Sequence, residues 1–278
     1  MPLPLILLSG QPNAGKDAVA SILVKKHGAV AMSFADPIKR FVHAAFGINH
    51  ETLWGPSHLR DVDVSWLKTM PELKERAVAA ALGEAGNWLL GGPSHFVETQ
   101  SGKFPIKTYS QQKLVFHVGK IFDMETLTTR KLLQEIGTAW GRSVDKNIWV
   151  DRAIRDAGYL LDGGCHYWQS AGVVVDPDAP VNYPGPNFVV ITDGRFRNEI
   201  MAVRKLGGEV WSIQNPASEK ERHHVSDVEQ KLMPAHFYTA TLVNDKSSGL
   251  STLEELVGKI VKDRYPAPRT WTALDTVF

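Results

Sequence analysis

"LILLSGQPNAGKDAVASIL", residues 5–23, decides how this chain is read. An apolar run stops at Gly10, four residues follow, and Gly15 and Lys16 open a segment whose apolar residues recur at helical intervals. Glycines let a backbone turn sharply and come close to a ligand, so several N–H groups and a helix N-terminus converge on phosphate oxygens. Lys16 adds a mobile positive charge at the outer phosphates. Gly10, Asn13, Ala14, Gly15, Lys16, Asp17 and Ala18 are the candidate phosphate-binding residues, because G-x-x-x-x-G-K between a strand and a helix is a nucleotide-binding turn. Asp17 departs from the pattern, since a hydroxyl that ligates magnesium is usual there. A carboxylate could bind the ion directly, hold one of its waters, or cap the helix.

Working outward, "KDAVASILVKKHG" is a helix closed by Gly28, and "AVAMSFA" with "DPIKRFVHAAFG" repeats the strand and helix, with Asp36 in the N-cap place and Pro37 in the first turn. Residues 61–130 are less regular, with "MPELKERAVAAALGEAGNWLLGG" helical at its start. "TTRKLLQEIGTAWGRSVDKNIWVDRAIRDAG" predicts two helices broken between Gly141 and Asn147, with Glu135, Thr138 and Arg142 on one face. The turn-rich stretch 158–187 predicts a hairpin or excursion. "NFVVITD", "GEVWSIQ" and "ATLVND" complete five strand candidates, each followed or preceded by a helical pattern. Such alternation predicts an α/β fold with a parallel sheet flanked by helices and ligands at the carboxyl ends of its strands.

"VVITDGRFRNE" is the second chemical signal. A buried strand ending in Asp193 brings a carboxylate to the sheet edge, where it could organise hydrated magnesium, and Arg195 and Arg197 follow. Guanidinium forks bind phosphate oxygens and neutralise developing charge; the alternative is a surface salt-bridge cluster with Glu199.

Bulk properties narrow the class. The 278 residues are 43% hydrophobic and can bury the core of one large domain or two small ones. Thirty-one basic against thirty acidic residues leave a formal charge of +1, so no overall field draws the chain to nucleic acid or an anionic membrane. The eight tryptophans are scattered, as core or pocket walls rather than a base-stacking platform. The single cysteine, Cys165, excludes an intramolecular disulfide and a thiolate cage and fits a reducing compartment. The apolar N-terminus lacks a basic segment and is too short to span a bilayer, so a cytoplasmic protein is expected.

"GQPNAGKDAVA", "SFADPIKRFV", "LLQEIGTAWGR…NIWVDRA", "ITDGRFRNEI…LGGEVWSI", "HHVSD" and "LVND", in this order, resemble the deoxynucleoside monophosphate kinases of bacteriophages. The resemblance implies ATP-dependent phosphorylation of a deoxynucleoside monophosphate to the diphosphate, with Mg2+, in a P-loop kinase fold of strand order 2-3-1-4-5. It further implies one domain over residues 1–278, with a core of 1–60 and 131–265, insertion-like regions at 61–130 and 158–187, and a lid near 216–232. Lys16, Asp36, Arg195 and Arg197 are the catalytic candidates. Asn244 joins the turn in holding ATP, with Lys220 and Arg222 as closing cations of the lid. Phe34, Lys39, Gln134, Thr138, Arg142, Asp193 and Arg195 are candidates for the acceptor, and Asp17 and Asp193 for the magnesium environment. Three alternatives stay open: Asp36 orients the acceptor or only caps its helix, Arg142 is a solvated helix-end residue, and "SEKERHHVSD" is a solvated charge run rather than a lid. His223 and His224 lack a third metal ligand at suitable spacing. The resemblance also suggests a homodimer and a phage origin, hence the host cytoplasm. Two other classes share parts of the pattern: a P-loop kinase for another acceptor, such as dephospho-coenzyme A, and a nucleotide switch with little turnover.

Overall fold

Leu5–Ser9 is buried at every position, which a run without polar alternation requires of a strand covered on both faces, and it forms β1 at the middle of a sheet. The computed structural model describes residues 4–83, 96–99, 102–162, 166–169, 172–175, 186–216 and 232–265. Residues 217–231 of the proposed lid, with Lys220, Arg222, His223 and His224, and Cys165 lie outside the described residues. The chain divides into two compact units: Met1–Phe34, Ala153–Tyr167 and Val173–Phe278 make unit 1, and Ala35–Arg152 with Trp168–Gly172 make unit 2.

Unit 1 holds a five-stranded sheet built from β1, β2 (Ala29–Met32), β3 (Phe188–Gly194), β4 (Glu209–Gln214) and β5 (Ala240–Val243), in the order β2-β3-β1-β4-β5. Every neighbouring pair is parallel, so the carboxyl ends of all five strands share one edge. This is the strand order and the class the sequence implies. Side chains alternate across β1. Ile6 and Leu8 pack into a core with Val19 and Leu23 of α1 (Lys16–His27), Trp211 and Ile213 of β4, and Leu253 and Val257 of α8 (Gly249–Arg264). Leu5 and Leu7 take the other face and are also fully buried. Each such side chain contributes about 2 kcal/mol by leaving water. Gly28, at φ 68, ends α1 as its position after the last basic residues predicts.

One irregularity positions the site. Leu7 pairs with Ile191 but Ser9 pairs with Gly194, so β3 carries an extra residue at the Thr192–Asp193 step. A bulge of this kind bends its strand and re-aims the side chain beside it.

Unit 2 is mostly helical: α2 (Asp36–Phe46), α3 (Pro71–Leu82), α4 (Ile106–Asp123), and α5 (Thr129–Gln134), which continues as a π-helix over Glu135–Arg142. α6 (Ile148–Leu161) then leads the chain into unit 1. The predicted break before Asn147 is present, and α3 begins where the "MPELKERAV" pattern places it. The described residues of the irregular stretch 61–130 nevertheless lie largely in helices. Within 158–187, His166–Gln169 and Gly172–Val175 form a two-stranded sheet, as do Phe96–Thr99 and Gly102–Pro105 earlier in the chain.

Two local expectations are corrected. The N-cap of α2 is Ala35, so Asp36 stands inside the first turn rather than in the cap place. Glu135, Thr138 and Arg142 do not share a face: Glu135 is buried, Thr138 is exposed and Arg142 is half-buried. The cause is the π-helix, whose wider winding advances less per residue than the α-helix assumed from the spacing.

Candidate active site

The turn between β1 and α1 is held from beneath by two asparagines. Asn244 Nδ2 donates to Ala14 O at 2.9 Å and Asn215 Nδ2 to Asn13 O at 3.4 Å, and both side chains are buried after the ends of β5 and β4. A trans peptide points its N–H opposite to its C=O, so fixing the Ala14 carbonyl aims the Gly15 N–H away from Asn244. Gly15 has φ 104, and a β-carbon there would lie 2.0 Å from Asn244 Nδ2, so glycine is required both by the torsion and by the approach. Asn13, at φ 65, is of a type that tolerates this conformation. Lys16 Nζ donates to Gly10 O at 2.7 Å and to Gln11 O at 3.1 Å, so its charge lies on the turn itself.

Beside the turn is a cavity of about 380 Å3, lined by Asn13, Gly15, Lys16, Asp17 and Ala18 on one side and Asn244, Gly249, Leu250 and Leu253 on the other. Charge and amides at one end with aliphatic side chains at the other suit a ligand that is anionic at one end and apolar-faced elsewhere. The contribution of Gly249, Leu250 and Leu253 was hidden in sequence, because Asp245 folds the chain back there by accepting from Ser247 N at 2.9 Å and Ser247 Oγ at 2.7 Å. Those bonds, the hydroxyl first, hold Asp245 below its ordinary pKa. Tyr238 meets the site from another side. Its hydroxyl bonds the side chain of Ser9, the residue before the turn, and burial raises its pKa against that bond.

The bulged end of β3 carries the second group. Asp193 Oδ1 accepts the backbone N–H of Phe34 at 2.8 Å, tying the end of β3 to the chain leaving β2. Phe34 itself is buried. Glu199 is 2% exposed and accepts the N–H groups of Arg195 at 2.7 Å and Phe196 at 2.9 Å, closing the start of α7 (Arg197–Lys205). It is therefore a helix-start acceptor rather than a member of a surface cluster. Arg195 and Arg197 are exposed, and the Arg197 guanidinium lies 5.7 Å from the Phe237 ring centre.

In unit 2, Asp36 is 8% exposed and its Oδ1 accepts from Lys39 Nζ at 3.2 Å and Trp54 Nε1 at 3.0 Å. Gln134 and Thr138 are exposed, on α5 and its π-helical continuation. The π-helix is shaped by Trp149, whose Nε1 donates to Gly137 O at 2.7 Å, and a β-carbon at Gly141 would meet the Trp149 ring at 2.2 Å. Gly141 of "EIGTAWG" thus admits the indole against the backbone, whereas Gly137 makes room for Ile38, whose Cδ1 would lie 2.9 Å from a β-carbon there.

Glu135 faces inward, and its Oε1 accepts from His117 Nδ1 at 2.7 Å and Lys120 Nζ at 3.1 Å. Burial alone would raise its pKa, but these two hydrogen bonds outweigh it and hold the carboxyl below its ordinary 4.5. A folded-state pKa below the unfolded one adds stability that is present above pH 4.5 and disappears as pH falls through the lowered value. The melting temperature should therefore drop on acidification below that range. Glu135→Gln should cost about 1–2 kcal/mol at neutral pH. Its deficit against the parent should shrink in acid, and a deficit constant with pH would show that the ion pair is not the source.

Within unit 1 the sheet edge gathers Lys16, Asp17, Asp193, Arg195, Arg197 and Asn244; Asp36, Lys39, Gln134, Thr138 and Arg142 belong to unit 2. A parallel sheet of order 2-3-1-4-5 with a glycine turn and lysine after its central strand is the fold of P-loop kinases. The family model "Deoxynucleotide monophosphate kinase" matches residues 4–160, and the chain belongs to that family. It is 24% identical over 260 residues to a protein of Acanthamoeba polyphaga mimivirus provisionally named deoxynucleotide monophosphate kinase, covering 92% of this chain and 94% of that one. It is likewise 24% identical over 266 residues to the deoxynucleotide monophosphate kinase of Enterobacteria phage T4, covering 93% of this chain and 97% of that one. The chain is thus a phosphotransferase that uses a nucleotide phosphate donor and acts on deoxynucleoside monophosphates. Among the described residues no helix is long and apolar enough to cross a membrane.

Proposed function

We propose that the donor is ATP with Mg2+, held at the β1–α1 turn, and that the acceptor is a deoxynucleoside monophosphate held by Asp36, Lys39, Thr138 and Arg142 with help from Phe34 and Gln134. The observation that carries this reading is the turn held by Asn215 and Asn244 beside the cavity, with Lys16 on its backbone. The triphosphate lies along the Gly10–Ala18 turn and the nucleoside extends toward Asn244, Gly249 and Leu250. In the transfer, an oxygen of the acceptor phosphate forms a bond to the γ-phosphorus while the bond from that phosphorus to the β,γ-bridging oxygen breaks. A deoxynucleoside diphosphate and ADP leave. Charge neutralisation and in-line alignment supply most of the acceleration in such a step. Lys16 stabilises the β- and γ-phosphates, and Arg195 and Arg197 clamp the moving phosphoryl group and the acceptor phosphate.

Magnesium usually needs one or two carboxylates, completed by phosphates and water. Asp17, exposed at the cavity beside Lys16, fits that role, with Asp193 as a second carboxylate. Bound there, the ion would neutralise charge on the donor phosphates. Among the described residues no group of three or more His, Cys, Asp or Glu could hold a metal ion. The lid over the donor, closed by Lys220 and Arg222, the single catalytic domain, a homodimer and the host cytoplasm as the site of action belong to the same proposal.

The test is a coupled assay with ATP or another nucleoside triphosphate as donor, with and without magnesium, offering dAMP, dGMP, dCMP, dTMP and their ribose counterparts one at a time, with dephospho-coenzyme A alongside. The expected result is magnesium-dependent turnover of at least one deoxynucleotide, faster than its ribose form. Turnover that ignores magnesium, or that prefers another donor triphosphate, would overturn the cofactor assignment.

A further inference from the structure

The segment His50–Trp54 is a single helical turn that no motif marks, yet it is clamped at both ends. Asn49 Oδ1 accepts from Thr52 N at 2.8 Å, Leu53 is fully buried, and Arg60 donates to Leu53 O at 3.2 Å and Gly55 O at 3.1 Å. What this clamp delivers is the indole of Trp54. Its Nε1 donates to Asp36 Oδ1 at 3.0 Å, and Lys39, bonded to the same oxygen, holds its ammonium 5.7 Å from the indole ring centre. His50 stacks on the indole at 4.8 Å and 24°, and His43 lies against His50 at 4.3 Å. Burial, and then His43, push the His50 pKa down, which favours the neutral form of the imidazole that backs the indole.

A buried tryptophan N–H needs an acceptor, and a backbone carbonyl suffices. That is what Trp140 and Trp149 use in the same unit, donating to Ser110 O and Gly137 O. Trp54 is half-buried and instead donates to the carboxylate of Asp36, within four residues of the end of β2. We propose that Trp54 is a positioning residue for the acceptor, its N–H fixing the Asp36 carboxylate and its ring fixing the Lys39 ammonium in the geometry that receives the deoxynucleoside monophosphate. The proposal rests on the reading that Asp36 and Lys39 serve the acceptor.

Trp54→Phe keeps an aromatic ring against His50 and removes the N–H. A hydrogen bond to a charged group is lost, so the KM for the deoxynucleoside monophosphate should rise about tenfold. The KM for the donor should stay within about twofold, because no donor-side group is touched. Asp36→Asn, and the double variant, complete a cycle in which the double should be little worse than either single, as expected of residues acting as one unit. If Asp36→Asn raises the acceptor KM and Trp54→Phe does not, the positioning role is overturned while the acceptor reading stands. If Asp36→Asn leaves the acceptor KM unchanged, the acceptor reading itself falls. A Trp54→Phe variant that loses donor and acceptor affinity together with melting temperature would mark a merely structural tryptophan and overturn the proposal.

Discussion

Lys16→Met yields a folded protein whose phosphate transfer is lower by about two to three orders of magnitude. The fold survives because nothing in the core depends on the ammonium. Leu5–Leu8 are fully buried, Asn215 and Asn244 hold the turn's carbonyls independently of Lys16, and methionine preserves most of the aliphatic stem. The hydrogen bonds to Gly10 O and Gln11 O are lost from a partly exposed surface, a cost of about 1–3 kcal/mol that a full-sized core tolerates. The charge is what matters to chemistry. In phosphoryl transfer the protein supplies position and positive charge, and an ammonium at the β- and γ-phosphates cannot be replaced by a thioether. Turnover of deoxynucleoside monophosphates with saturating ATP, beside a thermal melt, measures both halves. Near-normal turnover would remove the turn from the donor site altogether.

Arg195→Ala strikes differently. The bond that starts α7 runs from the Arg195 backbone N–H to Glu199, so truncating the side chain leaves that helix start intact. The guanidinium itself is exposed at the sheet edge where β1 and β3 end, one residue beyond Gly194. We expect kcat/KM for the acceptor to fall about 100- to 1000-fold while the dissociation constant for ATP moves by less than about twofold, the signature of a contact made in the transition state. An equal loss of ATP affinity would assign Arg195 to the donor phosphates. Arg197→Ala is the comparison, since its guanidinium also leans on the Phe237 ring.

Much of the candidate site was legible because its parts are local. The glycine turn needs consecutive residues in fixed order, and β1 and β3 read as continuous apolar runs because strands buried on both faces have no polar alternation. The side of the chain on which Asp193 and the two arginines fall follows from the strand direction. Glu199 was legible only as a surface partner, because sequence does not say that the carboxylate three residues into α7 turns back to accept N–H groups.

What the sequence by itself determined is the class of fold, the glycine turn and lysine after its central strand, and the family to which the chain belongs. All three rest on short-range patterns and on the order of strands and helices. What only the tertiary structure decided are the contacts made across long stretches of chain. These are Asn244 under the turn, Phe34 on Asp193, Trp54 on Asp36, and the indole of Trp149 laid on the π-helix. The π-helix shows the reason most clearly. The spacing of Glu135, Thr138 and Arg142 is helical either way, and whether the winding is α or π depends on what packs against Gly137 and Gly141. Periodicity reports the angle between neighbours along one element, whereas the partner that changes that angle is contributed by another.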